Sequence, residues 1–188
     1  MKFDKRLMKD ALNWSEESYC KRLKVGAVIA QDDRIISVGY NGTLSGTENI
    51  CEEYEKFTSL KEYSNNKEVA RVCPDCKGTL ISGAMKNSPY KEGCETCNEI
   101  GYVKTTNETN EFTVHAEQNA IAFAAKRGIS TNNATLYVTH SPCKTCAKLI
   151  ASVGIKRVVY IYDYRDTSGV DFLRKLNIDI TKLKEEDF

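Results

Sequence analysis

The stretch ATLYVTHSPCKTCAKLIASVGIKRVVYIY (134–162) reads strand, helix, strand. ATLYVT (134–139) and KRVVYIY (156–162) are β-branched and aromatic runs of strand length. Between them CKTCAKLIASVG (143–154) follows Pro142 and stops at Gly154, as a buried helix does. Two strands joined by a crossover helix form the parallel βαβ unit of an α/β protein. Upstream, HAEQNAIAFAAKRG (115–128) is a second helix, with Ala116, Ala120, Phe123 and Ala124 expected on its core face and Gly128 at its end. KVGAVIA (24–30) and DRIISVGYN (33–41) predict a hairpin turning at Gln31-Asp32. Phe3, Leu7, Ala11 and Trp14 predict an amphipathic first helix within 3–20. Ser168 is expected to cap a short helix through Leu176, and NIDI (177–180) to form a last strand. The result is an α/β sandwich whose first two strands are antiparallel and whose later ones are parallel.

Composition narrows the possible functions. The 188 residues suit one domain, 1–188. The 27 basic and 26 acidic residues give a net charge of +1, too balanced for a non-specific nucleic-acid binder. No apolar run reaches the roughly 18 residues of a membrane span, and MKFDKRLMKDALNW lacks the apolar centre of a signal peptide. A soluble, cytoplasmic protein with no membrane or nucleic-acid partner is expected. From Thr43 to Phe112 the periodicity breaks down, so this stretch is expected to have its own organising element.

Eight cysteines stand out, six of them in C-x-x-C pairs: Cys73/Cys76, Cys94/Cys97 and Cys143/Cys146. That spacing favours zinc over a disulfide framework, because a two-residue gap turns both thiolates toward one ion. Seventeen residues separate Cys76 from Cys94, within the range of a four-thiolate structural zinc, so 71–104 is a candidate zinc-ribbon-like insert. His115-Ala116-Glu117 followed by Pro142-Cys143-Lys144-Thr145-Cys146 is the H-x-E…P-C-x-x-C pattern of zinc-dependent nucleobase deaminases. His115, Cys143 and Cys146 supply three ligands and leave a fourth tetrahedral position for water. Glu117, two residues after the histidine, can face that position and move protons. A histidine or C-x-x-C alone says little; their joint occurrence with the glutamate and proline is the signal.

KVGAVIA, RIISVGYNGTLSG (34–46), HAEQNAIAFAA and LYVTHSPCKTCAKLIASVGIKRVVY (136–160) resemble the deoxycytidylate (dCMP) deaminase family. They are nearer to its phage-type members than to free-cytidine deaminases. The resemblance covers nearly the whole chain outside the insert. It implies a three-layer α/β/α fold around a five-stranded mixed sheet, assembled as a homo-oligomer, usually a hexamer. It implies hydrolysis of dCMP to dUMP and ammonia for thymidylate synthesis, with dCTP and Mg2+ activating and dTTP inhibiting. It makes His115, Cys143 and Cys146 the catalytic zinc ligands and Glu117 the proton donor. It places Asn41 on the substrate and packs Tyr164 against the nucleotide.

Some relatives bind a second zinc through cysteines matching Cys20 and Cys51, with a histidine and a glutamate. Here Thr113 stands where that glutamate would be, and the second histidine, His140, lies beside the Cys143 motif. Either the insert's cysteines replace that site, or one or two of them join Cys20 and Cys51. A Cys20–Cys51 disulfide is not expected in a reducing compartment. The rival readings are the same chemistry on another cytosine or adenine nucleoside or nucleotide, such as tRNA adenosine or cytidine, and a zinc-stabilised binding module with a vestigial deaminase core. The intact Glu117 argues against the latter.

Overall fold

Alternation along three central strands splits the chain's apolar residues into two cores. In the computed structural model, which describes residues 3–56, 58–65, 70–73 and 102–187, these strands are β1 (Gly26–Gln31), β8 (Thr135–His140) and β9 (Arg157–Tyr162). Ala27, Ile29, Leu136, Val138, Val158 and Tyr160 face one side. Val28, Ala30, Tyr137, Val159 and Ile161 face the other. Because strand side chains alternate with period two, each face needs its own cover. Helix α1 (Asp4–Glu16) covers the second face through Leu7, Met8 and Ala11. Helices α3 (Ala116–Lys126), α4 (Lys144–Ser152) and α5 (Ser168–Lys175) cover the first. The fold is the expected α/β/α sandwich.

The sheet has five strands in the order β10-β9-β8-β1-β2, where β2 is Arg34–Tyr40 and β10 is Asp179–Lys182. β1 pairs antiparallel with β2 and β8, while β8, β9 and β10 run parallel. The β1–β2 turn lies at Asp32-Asp33, one residue beyond the expected Gln31-Asp32. Both aspartates have positive φ (49° and 59°), as a two-residue turn matched to strand twist requires. Helix α3 approaches β2 closely. A Cβ on Gly39 would overlap Ala120 N and lie 2.5 Å from Ala116 O, and Ser37 Oγ donates to Ala120 O at 2.6 Å. Gly39→Ala should therefore cost about 1–3 kcal/mol by overpacking, measured by denaturant unfolding; an unchanged midpoint would contradict this packing.

Three helix assignments shift. Phe123 is 42% exposed, with the Arg127 guanidinium over its ring, and Ile121 takes the core position instead. At 100° per residue the buried Glu117 and Ile121 extend the Ala116, Ala120 and Ala124 stripe to one side, and Phe123 lies just beyond its opposite edge. Trp14 also lies outside the core and stacks on Tyr40. Thr167, not Ser168, is the N-cap of α5, and Asp166 just before it accepts from the Ser168 N–H and hydroxyl on its two carboxylate oxygens. The helix preceding the last strand ends at Lys175, and that strand begins two residues later than NIDI predicts.

The chain divides into two compact units, one of Met1–Cys51 with Glu111–Phe188, the other of Glu52–Asn110. A short pairing of β3 (Gly42–Thr43) with β7 (Thr113–Val114) belongs to the first. The second holds β4 (Glu52–Lys56), α2 (Leu60–Asn65), β5 (Ala70–Val72) and β6 (Tyr102–Thr109), antiparallel in the order β4-β6-β5. Lys104 on β6 meets Glu55 and Glu62 at 3.2 and 3.6 Å. The expected insert, 71–104, falls within this unit, and its stretch 74–101 lies outside the described residues. Among the described residues no helix is long and apolar enough to cross a membrane.

Cys20 and Cys51 form a disulfide, against the expectation. The expectation weighed compartment and not geometry. Ser18 Oγ donates to Asn41 O, and Thr113 Oγ1 donates to Cys51 O, seating both segments on the same loop region. The two Cα atoms end 5.1 Å apart, within bridging range.

Candidate active site

Two helix starts carry the candidate chemistry. His115 is the N-cap of α3 and Cys143 the N-cap of α4, both with extended backbone (ψ 155° and 166°) that turns the side chain out of the helix. Gln118 Oε1 accepts the His115 N–H at 2.9 Å, closing half of a capping box around the histidine. The Pro142 ring precedes α4, and Cys146 follows one turn into it.

His115 Nδ1 lies 3.4 Å from Cys146 Sγ and 3.7 Å from Cys143 Sγ, and the three donor atoms fall within 4.8 Å of one another. A tetrahedral zinc with Zn–S near 2.3 Å and Zn–N near 2.0 Å separates neighbouring donors by about 3.5 Å, so the trio fits such an ion. The Cys143 thiol is drawn down to about 3, first by its hydrogen bond with Cys146 and next by His115. The same sharing pushes the Cys146 thiol up and, with Cys143 as hydrogen-bond partner, raises His115. The trio thus stabilises a thiolate before any metal enters, and metal would deprotonate the rest.

Glu117 is 4% exposed. Burial pushes its carboxyl up, opposed by its backbone hydrogen bond and by His115, and it contacts the Cys146 thiol by a hydrogen bond. A carboxyl held toward its neutral form beside His115, Cys143 and Cys146 is suited to carry a proton.

The remaining expected residues are placed as follows. Asn41 commits its amide to backbone: Nδ2 donates to Leu23 O at 2.8 Å and Oδ1 accepts from Val25 N at 2.7 Å. One Nδ2 proton is left for another acceptor. Tyr164 is half-buried; its N–H donates to Ser141 Oγ at 2.8 Å and the Arg165 guanidinium lies over its ring. His140 packs on Tyr162 and is held below the usual imidazole range by burial. Cys73 is buried in the second unit, whereas Cys76, Cys94 and Cys97 lie outside the described residues. The sequence reading missed Gln118 and Asn119, whose Nδ2 donates to Tyr40 O at 3.0 Å and so ties α3 to the Asn41 loop. Gln118, three residues after the helix start, carries a readable capping-box spacing; Asn119 carries none.

Known proteins resemble this chain over most of its length. The deoxycytidylate deaminase of Enterobacteria phage T4 is 36% identical over 175 residues, covering 92% of this chain and 86% of its own. That of Enterobacteria phage T2 is 38% identical over 173 residues, covering 88% and 84%. A crystal structure of dCMP deaminase from cyanophage S-TIM5 in complex with dCMP and dUMP superposes with a TM-score of 0.65 at 31% identity, covering 97% of each chain. Residues 1–162 match the cytidine and deoxycytidylate deaminase zinc-binding region, and the chain belongs to the cytidine and deoxycytidylate deaminase family.

Proposed function

We propose that the protein hydrolyses dCMP to dUMP and ammonia, with His115, Cys143 and Cys146 holding a zinc ion. The observation that carries this is the buried Glu117 against a zinc-compatible His-Cys-Cys trio, in a chain alike over 97% of its length to an enzyme solved with dCMP and dUMP. Zinc bound there would acidify a coordinated water and so supply the nucleophile at neutral pH. Addition of water at C4 of cytosine requires a base for the water's proton and an acid at N3. Glu117 serves both needs: it takes the water's first proton and passes it to N3, then takes the proton of the added C4 hydroxyl and delivers it to the amino group as the C4 carbonyl forms. The C4–N bond breaks and the amine leaves as ammonia. The free Nδ2 proton of Asn41 is assigned to the substrate, and the Tyr164 ring to packing on the nucleotide.

Selection of a monophosphate needs charge-assisted contacts to its dianion, each worth about 1.5–3 kcal/mol. Two of them should raise kcat/KM for dCMP over deoxycytidine at least about a hundredfold. Steady-state assays with dCMP, CMP, dCTP, cytidine and a tRNA stem-loop test this, and equal specificity constants for dCMP and deoxycytidine would overturn the assignment. The reading extends to a homo-hexamer regulated by dCTP with Mg2+ and by dTTP. A sigmoidal dCMP curve should become nearly hyperbolic with dCTP and Mg2+, since an effector acts only through differential affinity for two states.

Cys73, Cys76, Cys94 and Cys97 are assigned a second, structural zinc, on their paired spacing. Metal analysis should then give about two zinc ions per chain, and Cys76→Ser should remove one without removing the other. One zinc in fully active protein would eliminate the structural site.

A further inference from the structure

The segment after β9 is fastened to the segment that carries Cys143. Ser141, 3% exposed, donates its N–H to Tyr162 O and accepts the Tyr164 N–H on Oγ, both at 2.8 Å. Five residues past Tyr164, Gly169 is buried against the same segment. A Cβ on Gly169 would overlap Pro142 O and stand 2.8 and 2.9 Å from the carbonyl carbon and oxygen of Cys143. Between these two fastenings, Asp166 holds the start of α5 through the N–H and hydroxyl of Ser168. Residues 162–169 thus meet residues 141–143 at both ends, and the Cys143 carbonyl they press on also accepts the Ala147 N–H that opens α4.

The Cys143 side chain leaves the backbone at the peptide that Gly169 touches. Any push on that carbonyl rotates the 142–143 backbone and swings Sγ relative to His115 and Cys146. We propose that this strap is a positioning device for Cys143, with the Ser141 hydroxyl and the missing side chain of Gly169 as its positioning residues. It rests on the reading of His115, Cys143 and Cys146 as metal ligands. Neither residue touches the donor trio's metal position through its own side chain; both act by fixing where Cys143 sits. Supports of this kind shift metal affinity by about 10–100-fold when removed. Tyr164 hangs from the same hydroxyl, so the strap also sets the aromatic assigned to the nucleotide.

The test uses the full chain, with zinc affinity read by chelator competition and ligand geometry read by the visible absorption of the Co2+-substituted protein. Ser141→Ala, which adds no bulk, should weaken zinc about tenfold, shift the Co2+ bands and raise KM for dCMP. Gly169→Ala should weaken zinc further, toward a hundredfold; if it fails to fold, Ser141→Ala alone decides. A merely structural strap would lower the melting temperature of metal-free and metal-loaded protein alike and leave the Co2+ bands unmoved. Zinc affinity within twofold of wild type and unshifted bands in Ser141→Ala would overturn the proposal while leaving the metal site standing. A wild-type chain that takes up no metal at His115, Cys143 and Cys146 would overturn both.

Discussion

Glu117→Gln should keep its metal and lose at least about a thousandfold in kcat, the order of a general acid–base contribution. The substitution preserves shape and hydrogen-bonding reach but cannot accept a proton from water or deliver one to N3. Its burial matters here: at 4% exposure no bulk water stands ready to replace the carboxyl. Metal content and steady-state kinetics on one preparation check the prediction. Retention of more than a tenth of wild-type turnover would show that another group carries the proton. Cys143→Ser should also abolish turnover, but through loss of metal, so the two variants separate the proton carrier from the ligand set.

The second large effect lies far from the reacting atoms. Asp4 on α1 receives two hydrogen bonds from Arg157, both at 2.8 Å, and one from Tyr137 OH at 2.9 Å. Arg157 also reaches Thr181 Oγ1 at 3.0 Å and Asp179 at 3.2 Å, so one guanidinium joins the first helix to strands β9 and β10. The Asp4 and Arg157 side chains are 6% and 14% exposed. Removing the Asp4 carboxylate takes from Arg157 a more shielded partner than Asp179, and breaking such a buried pair costs about 3–5 kcal/mol. Asp4→Asn should therefore lower the melting temperature by roughly 10 °C for a chain of this size.

Arg157 hydrogen bonding holds the Asp4 carboxyl well below the usual carboxylate range. Because the folded-state pKa is depressed, the stabilisation is present above the unfolded value of about 3.9 and is lost as pH falls below it toward the folded value. Wild-type stability should drop over that acidic window, and Asp4→Asn should flatten the drop. Denaturant midpoints between pH 2 and 6 provide the check; parallel curves for the two proteins would contradict it.

Local pattern made the layers legible. The continuous apolar run VVYIY marks a strand buried on both faces, and the alanine stripe of α3 marks a core face, each without reference to the rest of the chain. The convergence of His115, Cys143 and Cys146 was equally readable, because the H-x-E and P-C-x-x-C spacings are themselves local and each opens a helix. What escaped depends on approach between distant segments. Asp4 and Arg157 are 153 positions apart, and neither neighbourhood announces an ion pair. Gly169 looks like any small residue near a helix start until Pro142 and Cys143 are packed against it. Phe123 was misplaced because hydrophobicity outweighed a modest angular offset, and the Cys20–Cys51 bridge because compartment was weighed without proximity.

The brief β3–β7 pairing has a bearing on how the chain folds. Gly42 sits opposite Val114 and Thr43 opposite Thr113, so one two-stranded neck closes off the whole of Glu52–Asn110. Closure entropy grows only with the logarithm of loop length, so holding about 70 residues rather than a four-residue turn costs on the order of 2 kcal/mol. The two strands must still find each other across that distance, which places the neck among the non-local contacts that slow folding. Structure formed early within Glu52–Asn110 would shorten the effective loop. In that case the intervening unit would assist the folding of the rest of the chain through connectivity alone.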